Sequence, residues 1–159
     1  MTTSFEDFAA GQVTPLLRYA TVLTGDPHLA QDVVQECLLR AQQRWARIGG
    51  LDAPGAYLKR MVTNEFLSWR RRFKVHSTLT GIDPPTPDPA GRYDERDAML
   101  RRIARLPRKQ KAAVVLRFYE GYDDAEIAAV LGCTQGTVRS HISRALSTLR
   151  AADRVKEAL

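Results

Sequence analysis

The stretch AEIAAVLGCTQGTVRSHISRAL, Ala125 to Leu146, holds the side chains best suited to act on another molecule. On a helical wheel drawn through its second part, Val138, Ile142, Ala145 and Leu149 share one side and should face a core. The opposite side carries Gly136, Arg139, Ser140, Ser143, Arg144 and Ser147, with no acid among them. An arginine can donate two parallel hydrogen bonds to guanine, and a serine hydroxyl can reach a base edge or a phosphate. A face of this kind packs poorly against protein and suits a major groove, and Gly136 would let the backbone come close to the sugar–phosphate chain. The preceding Ile127, Ala128 and Leu131 with a turn at Gly132 supply what a helix-turn-helix crossing needs, a small residue at the contact and a glycine at the corner. The upstream run RRIARLPRKQKAAVVLR adds Arg101, Arg102, Arg105, Arg108, Lys109, Lys111 and Arg117 without an acid. A subset of these is expected to meet phosphates.

Two further faces lie in the first half of the chain. One helix places Ala30, Val33, Val34, Cys37, Leu38, Ala41, Trp45 and Ile48 on a wide apolar side. Its other side bears Asp32, Gln35, Glu36, Leu39 and Gln43, an acidic surface with one exposed leucine. That combination repels DNA and fits a protein partner with a basic rim and an apolar socket. The next helix points Leu58, Met61, Val62, Phe66 and Trp69 inward. Lys59, Arg60, Thr63, Asn64, Leu67, Arg70 and Arg71 are expected outward, a second surface for nucleic acid on which Asn64 is the neutral side chain best able to read a base. Glu65 falls near the apolar side and should pair with an arginine.

The elements that must hold these faces follow from the punctuation of the sequence. Ser4 is an N-cap with Asp7 three residues on, and Gly11 and Pro15 are expected to bend or break the first helix before Gly25 ends it. Asp26-Pro27 starts a second helix, expected to run to about Ile48, and Gly49-Gly50 stops it. Asp52 and Pro54 start a third. The segment TLTGIDPPTPDPAG, with Pro84, Pro85, Pro87 and Pro89, cannot be helical and reads as an extended linker. Beyond it, helices are expected near 93–105, 108–121, 124–131 and 134–150, with Asp123 and Thr134 as N-caps. No strand-like alternation is visible. The fold expected is all-α, two small helical domains over 1–75 and 93–159 joined by a Pro-rich linker over 76–92.

The bulk properties agree with this division. The chain has 159 residues and a formal charge of +6, which favours an anionic partner. No apolar run reaches the roughly 18 residues a membrane span needs, and the N-terminus MTTSFEDFAAGQ is not a secretory signal, so no membrane insertion is expected. Cys37 and Cys133 stand alone, and His28, His76 and His141 are scattered, which argues against a zinc site or disulfide framework and fits a reducing cytoplasm. No nucleophile–base set, phosphate-binding glycine loop or metal spacing supports an enzyme, so no catalytic residue, metal or cofactor is assigned. An autonomous transcription regulator with a C-terminal helix-turn-helix is the competing reading; the Asn- and Arg-bearing helix beside an acidic docking face argues against it.

The segments DPHLAQDVVQECLLRAQQRW, APGAYLKRMVTNEFLSWRRR and LPRKQKAAVVLRFYEGYDDAEIAAVLGCTQGTVRSHISRALSTLR, in this order, resemble bacterial RNA polymerase sigma factors of the extracytoplasmic-function (ECF) subfamily of the sigma-70 family, in particular the short SigE-type group of actinobacteria. The resemblance implies a promoter-specificity subunit for a stress- or signal-responsive regulon, made of a sigma-2 and a sigma-4 domain. It implies that Asp32, Gln35, Glu36, Leu39 and Gln43 dock on the β′ clamp helices of core RNA polymerase. It places Lys59, Arg60, Thr63, Asn64, Arg70 and Arg71, with the loop 47–54, at the promoter −10 element. It implies that sigma-4 docks on the β flap and reads the −35 element through Thr134, Gln135, Gly136, Thr137, Arg139, Ser140, Ser143 and Arg144, and that an anti-sigma factor governs the chain. The sequence departs from the family at the −10 loop, RIGGLDAPGAY, where Tyr57 is the only aromatic residue available to stack on a flipped base.

Overall fold

A computed structural model describes residues 3–80 and 95–158, with side chains over 3–68 and 98–153. Eight helices follow in order: α1 (Phe5–Thr24), α2 (Pro27–Gln43), α3 (Trp45–Ile48), α4 (Pro54–Thr80), α5 (Glu95–Ala104), α6 (Arg108–Phe118), α7 (Asp124–Leu131) and α8 (Gln135–Ala158). No strand occurs among the described residues, and no helix there is long and apolar enough to cross a membrane. The prolines of the linker, Pro84 to Pro89, lie outside the described residues.

Helix α1 starts at Ser4, whose hydroxyl accepts from the Asp7 amide at 3.2 Å. It then runs unbroken through Pro15, so a break there does not occur. A helical proline costs one hydrogen bond and a clash with the residue four back. Here that residue is Gly11, which has nothing near its missing side chain. The burial of Leu16, Tyr19, Ala20 and Leu23 outweighs the loss. Asp26 caps α2 through the His28 amide at 2.9 Å, with Pro27 at the first helical position. Helix α2 stops at Gln43, five residues before the expected end. Arg44 leaves the helical region, and the short α3 swings Trp45 over Phe5 and Phe8, with ring centroids 5.7 and 4.9 Å away. Its indole N–H donates to the Thr3 carbonyl at 3.0 Å. Gly49 is held by this packing, since a Cβ there would lie 2.9 Å from the Trp45 ring.

Helix α4 continues to Thr80, five residues past the expected boundary at 75 and through the first three residues of the segment expected to be non-helical, because helix-breaking prolines begin only at Pro84. Helix α6 ends at Phe118, short of the expected Gly121, as the chain turns through Tyr119 and then a left-handed Gly121.

The two halves do not stand apart. Helix α1 packs on α5 and α6, and α4 packs on α6 and α7. The buried residues form one cluster, from Leu16, Tyr19 and Phe66 in the first half to Leu116, Ile127 and Val138 in the second. Lys111, Ala112, Ala113, Val114, Val115 and Leu116 are all buried, so the middle of α6 is enclosed, while Lys109 and Phe118 near its ends are exposed.

A candidate nucleic-acid interface on α8 and a polar face on α2

The corner between α7 and α8 is built from local chemistry. Asp123 and Glu126 form a reciprocal capping box, with the Glu126 amide donating to Asp123 Oδ1 at 2.8 Å and the Asp123 amide donating to Glu126 Oε1 at 3.1 Å. Gly132 closes α7 at φ +67°, a left-handed conformation that only glycine adopts without strain, and its amide donates to the Ala128 carbonyl at 2.9 Å. The Thr137 amide donates to Thr134 Oγ1 at 3.2 Å, which spends that hydroxyl on starting α8. Val138, Ile142, Ala145 and Leu149 are buried, as the wheel required. Thr134, Gln135, Gly136, Thr137, Arg139, Ser140, Ser143 and Arg144 are all exposed on one continuous surface. His141 sits half-buried at its edge. Burial lowers its pKa, and the nearby Lys109 and Arg144 lower it further.

Arg139 is not free. Its Nη1 lies 3.3 Å from Asp124 Oδ2, and the other oxygen of Asp124 accepts from Arg117 of α6. Arg102 is paired with Asp153, Arg108 donates to the Leu67 carbonyl at 2.6 Å, and the Lys111 ammonium lies 5.2 Å from the Phe66 ring centroid. The basic run of the second half is therefore largely committed to internal contacts. Lys111, one of the basic residues from which phosphate contacts are expected, is 1% exposed and so is not in that subset. Lys109 and Arg105 remain on the surface.

In the first half, Asp32, Gln35, Glu36 and Gln43 are exposed, and Leu39 is 50 % exposed. Leu39 borders a groove of ≈ 400 Å³ between α1 and α2, whose apolar wall is Phe5, Val13, Leu17, Val34 and Leu38. Glu36 pairs with Arg40 at 3.1 Å, and Arg40 reaches the buried Glu65 at 2.8 Å, which supplies the arginine partner expected for Glu65.

The α4 surface differs from expectation. Arg60 and Asn64 are exposed, but Thr63 is fully buried, with its hydroxyl 2.6 Å from that of Tyr19 and donating to the Lys59 carbonyl at 2.8 Å. The wheel misplaced it because its neighbours Lys59 and Asn64 are polar, whereas α1 covers this part of α4. Lys59 is mostly covered as well. It pairs with Glu120 and lies 5.5 and 5.1 Å from the Tyr19 and Tyr122 ring centroids. The side chains of Arg70 and Arg71 lie outside the described residues. In the loop before α4 Leu51 is exposed, and Tyr57, in the first turn of α4, is half-buried. Sequence reasoning missed Asp124, Glu120 and Tyr19. Only Asp124 left a local trace, as an acid beside an N-cap that already had its own.

Comparison with known proteins defines the class. Residues 13–74 match the family model for sigma-70 region 2, and residues 96–149 match that for sigma-70, region 4. RNA polymerase sigma-E factor of Streptomyces coelicolor is 36% identical over 92% of this chain and 84% of its own length. The ECF RNA polymerase sigma factor SigL of Mycobacterium tuberculosis is 35% identical over 85% and 80%. Among solved structures, the sigma factor RpoE of Bartonella quintana, crystallised with the anti-sigma factor NepR, superposes with a TM-score of 0.71 at 26% identity, over 95% of this chain and 97% of that one. This chain belongs to the ECF group of the sigma-70 family, the sigma factors of RNA polymerase. Among the described residues no group of His, Cys, Asp and Glu could hold a metal ion.

Proposed function

We propose that this chain confers promoter specificity on core RNA polymerase in the cytoplasm, with its first half docking the enzyme and working at the −10 element and its second half reading the −35 element. The observation that carries this is the exposed, acid-free surface of α8 from Thr134 to Arg144, in a chain whose other half offers a separate acidic face around Leu39. An apolar groove edged by Gln31, Gln35 and Gln42 beside an exposed leucine, with Asp32 and Glu36 exposed on the same helix, fits a helical partner that brings apolar side chains and basic rims. The β′ clamp helices would be that partner, and the β flap would hold the second half.

On α4, Arg60 and Asn64 are the −10 contacts ready for use. Lys59 would join them once freed from Glu120. Thr63 supports the helix from within. The chain supplies no catalytic step of its own and needs no cofactor. The likeness to a sigma factor held by NepR supports control by an anti-sigma factor.

The test is transcription from a randomised promoter library by core polymerase with and without this chain. Enrichment of a two-part motif that depends on the chain is expected. Tight, selective binding of the chain alone to duplex DNA as a dimer, with no effect on core polymerase, would favour the autonomous regulator instead.

A further inference from the structure

Asp124 is an acid placed where an acid is costly. It sits at the first position of α7, beside the face of α8 that would meet DNA, where phosphates repel a carboxylate. The capping box is already complete with Asp123 and Glu126, so the helix start does not require it. What Asp124 does hold is two arginines. One oxygen accepts from Arg117 of α6, and the other lies 3.3 Å from Arg139 Nη1 of α8. Arg117 offsets the charge of the carboxylate and fixes its orientation.

Along this chain of contacts Arg117, 32% exposed, and Asp124 are both more covered than Arg139. The side chain of Asp124 is 26% exposed and that of Arg139 63%. The anchored end is thus covered and the reading end is in solvent. A guanidinium has five N–H donors, so one bond to Asp124 leaves a full edge for two bonds to guanine. A free arginine loses much of its rotamer freedom on docking, whereas one already braced by a fixed carboxylate loses less. Among the described residues no ion pair holds Arg144, one turn further on.

Resting on the reading of α8 as the −35 reader, we infer that Asp124 is a positioning residue for promoter recognition: it aims Arg139, and so sets base preference at one −35 position without touching DNA.

The experiment uses the full chain with core polymerase on a promoter library randomised at −35. Asp124→Asn keeps the shape of the side chain and removes its charge. It should lower discrimination by about three- to tenfold at one position, the same position that Arg139→Ala erases. Preference at the position lost in Arg144→Ala should not move, and the melting temperature should fall only by the few degrees that losing the Arg117 pair and a first-turn acid of α7 costs. Adding Asp124→Asn to Arg139→Ala should change base preference no further. Asp124→Glu, which keeps the charge but moves it by one methylene, should disturb the same position.

Three results overturn the inference: uniform weakening at all −35 positions, an unchanged pattern, or tighter binding with full preference, which would make Asp124 a competitor of DNA for Arg139. If the unsubstituted chain directs no promoter-dependent transcription, the −35 reading itself falls, and the inference with it.

Discussion

Tyr19 and Thr63 meet hydroxyl to hydroxyl at 2.6 Å in a site closed to solvent, and through this bond α1 and α4 share a polar pin inside an apolar core. Burial pushes the Tyr19 phenol well above its ordinary pKa, and the bond to Thr63 offsets only part of that. The two hydroxyls are not equivalent, because Thr63 also donates to the Lys59 carbonyl. Tyr19→Phe leaves Thr63 with that second partner and should cost about 1 kcal/mol, whereas Thr63→Ala strands a buried phenol and should cost about 1–3 kcal/mol. Urea unfolding of both variants checks the order; equal or reversed costs would contradict it.

The pair Lys59–Glu120 bridges the two halves and is mostly covered. Glu120→Gln removes the charge that holds Lys59 and should weaken the closed arrangement by about 1 kcal/mol, between the values for exposed and buried pairs. X-ray scattering should then show a larger mean radius of gyration for the free variant. An unchanged radius, with unchanged thermal stability, would mean that the apolar contacts close the molecule alone.

Leu39 is half-exposed beside the α1–α2 groove, so its removal should not cost folding energy. Leu39→Asp is expected to weaken binding to core polymerase at least about tenfold, the loss typical of an apolar anchor, with an unchanged melting temperature. Normal binding in a pull-down titration would show that the leucine is incidental.

The cysteines differ in reach. Burial, and after it Glu65, pushes the Cys37 thiol up to about 12, and no part of it faces solvent. Cys133, at the corner before α8, is partly exposed. An alkylating reagent near neutral pH should label Cys133 in the folded chain and Cys37 only after denaturation, since the thiolate is the reacting form. Mass spectrometry showing early labelling at Cys37 would point to local opening of α2.

Most of the architecture was legible because it was written in local chemistry. Ser4, Asp26-Pro27, Asp123, Gly132 and Thr134 each mark a helix end through contacts within a few residues, and the exposed face of α8 follows from its wheel alone. Pro15 misled because a local cost was outweighed by burial against distant helices. Thr63, Lys59 and Lys111 misled for a related reason. A helical wheel turns polar residues outward, and nothing in the sequence reveals that α1, α6 and α7 close over that side of α4. The same applies to Asp124, whose partners lie 7 and 15 residues away on other helices.

The interface between the halves also fixes a length. A compact chain of this size is about 40 Å across. Elements centred near −35 and −10 lie about 25 base pairs apart, or about 85 Å along straight B-form DNA. The segment 81–94 drawn out fully would span about 45–50 Å, which, added to the width of each half, is enough to cover that distance. With α4 packed on α6 and α7, the molecule is too short for a two-part promoter until its halves let go of each other.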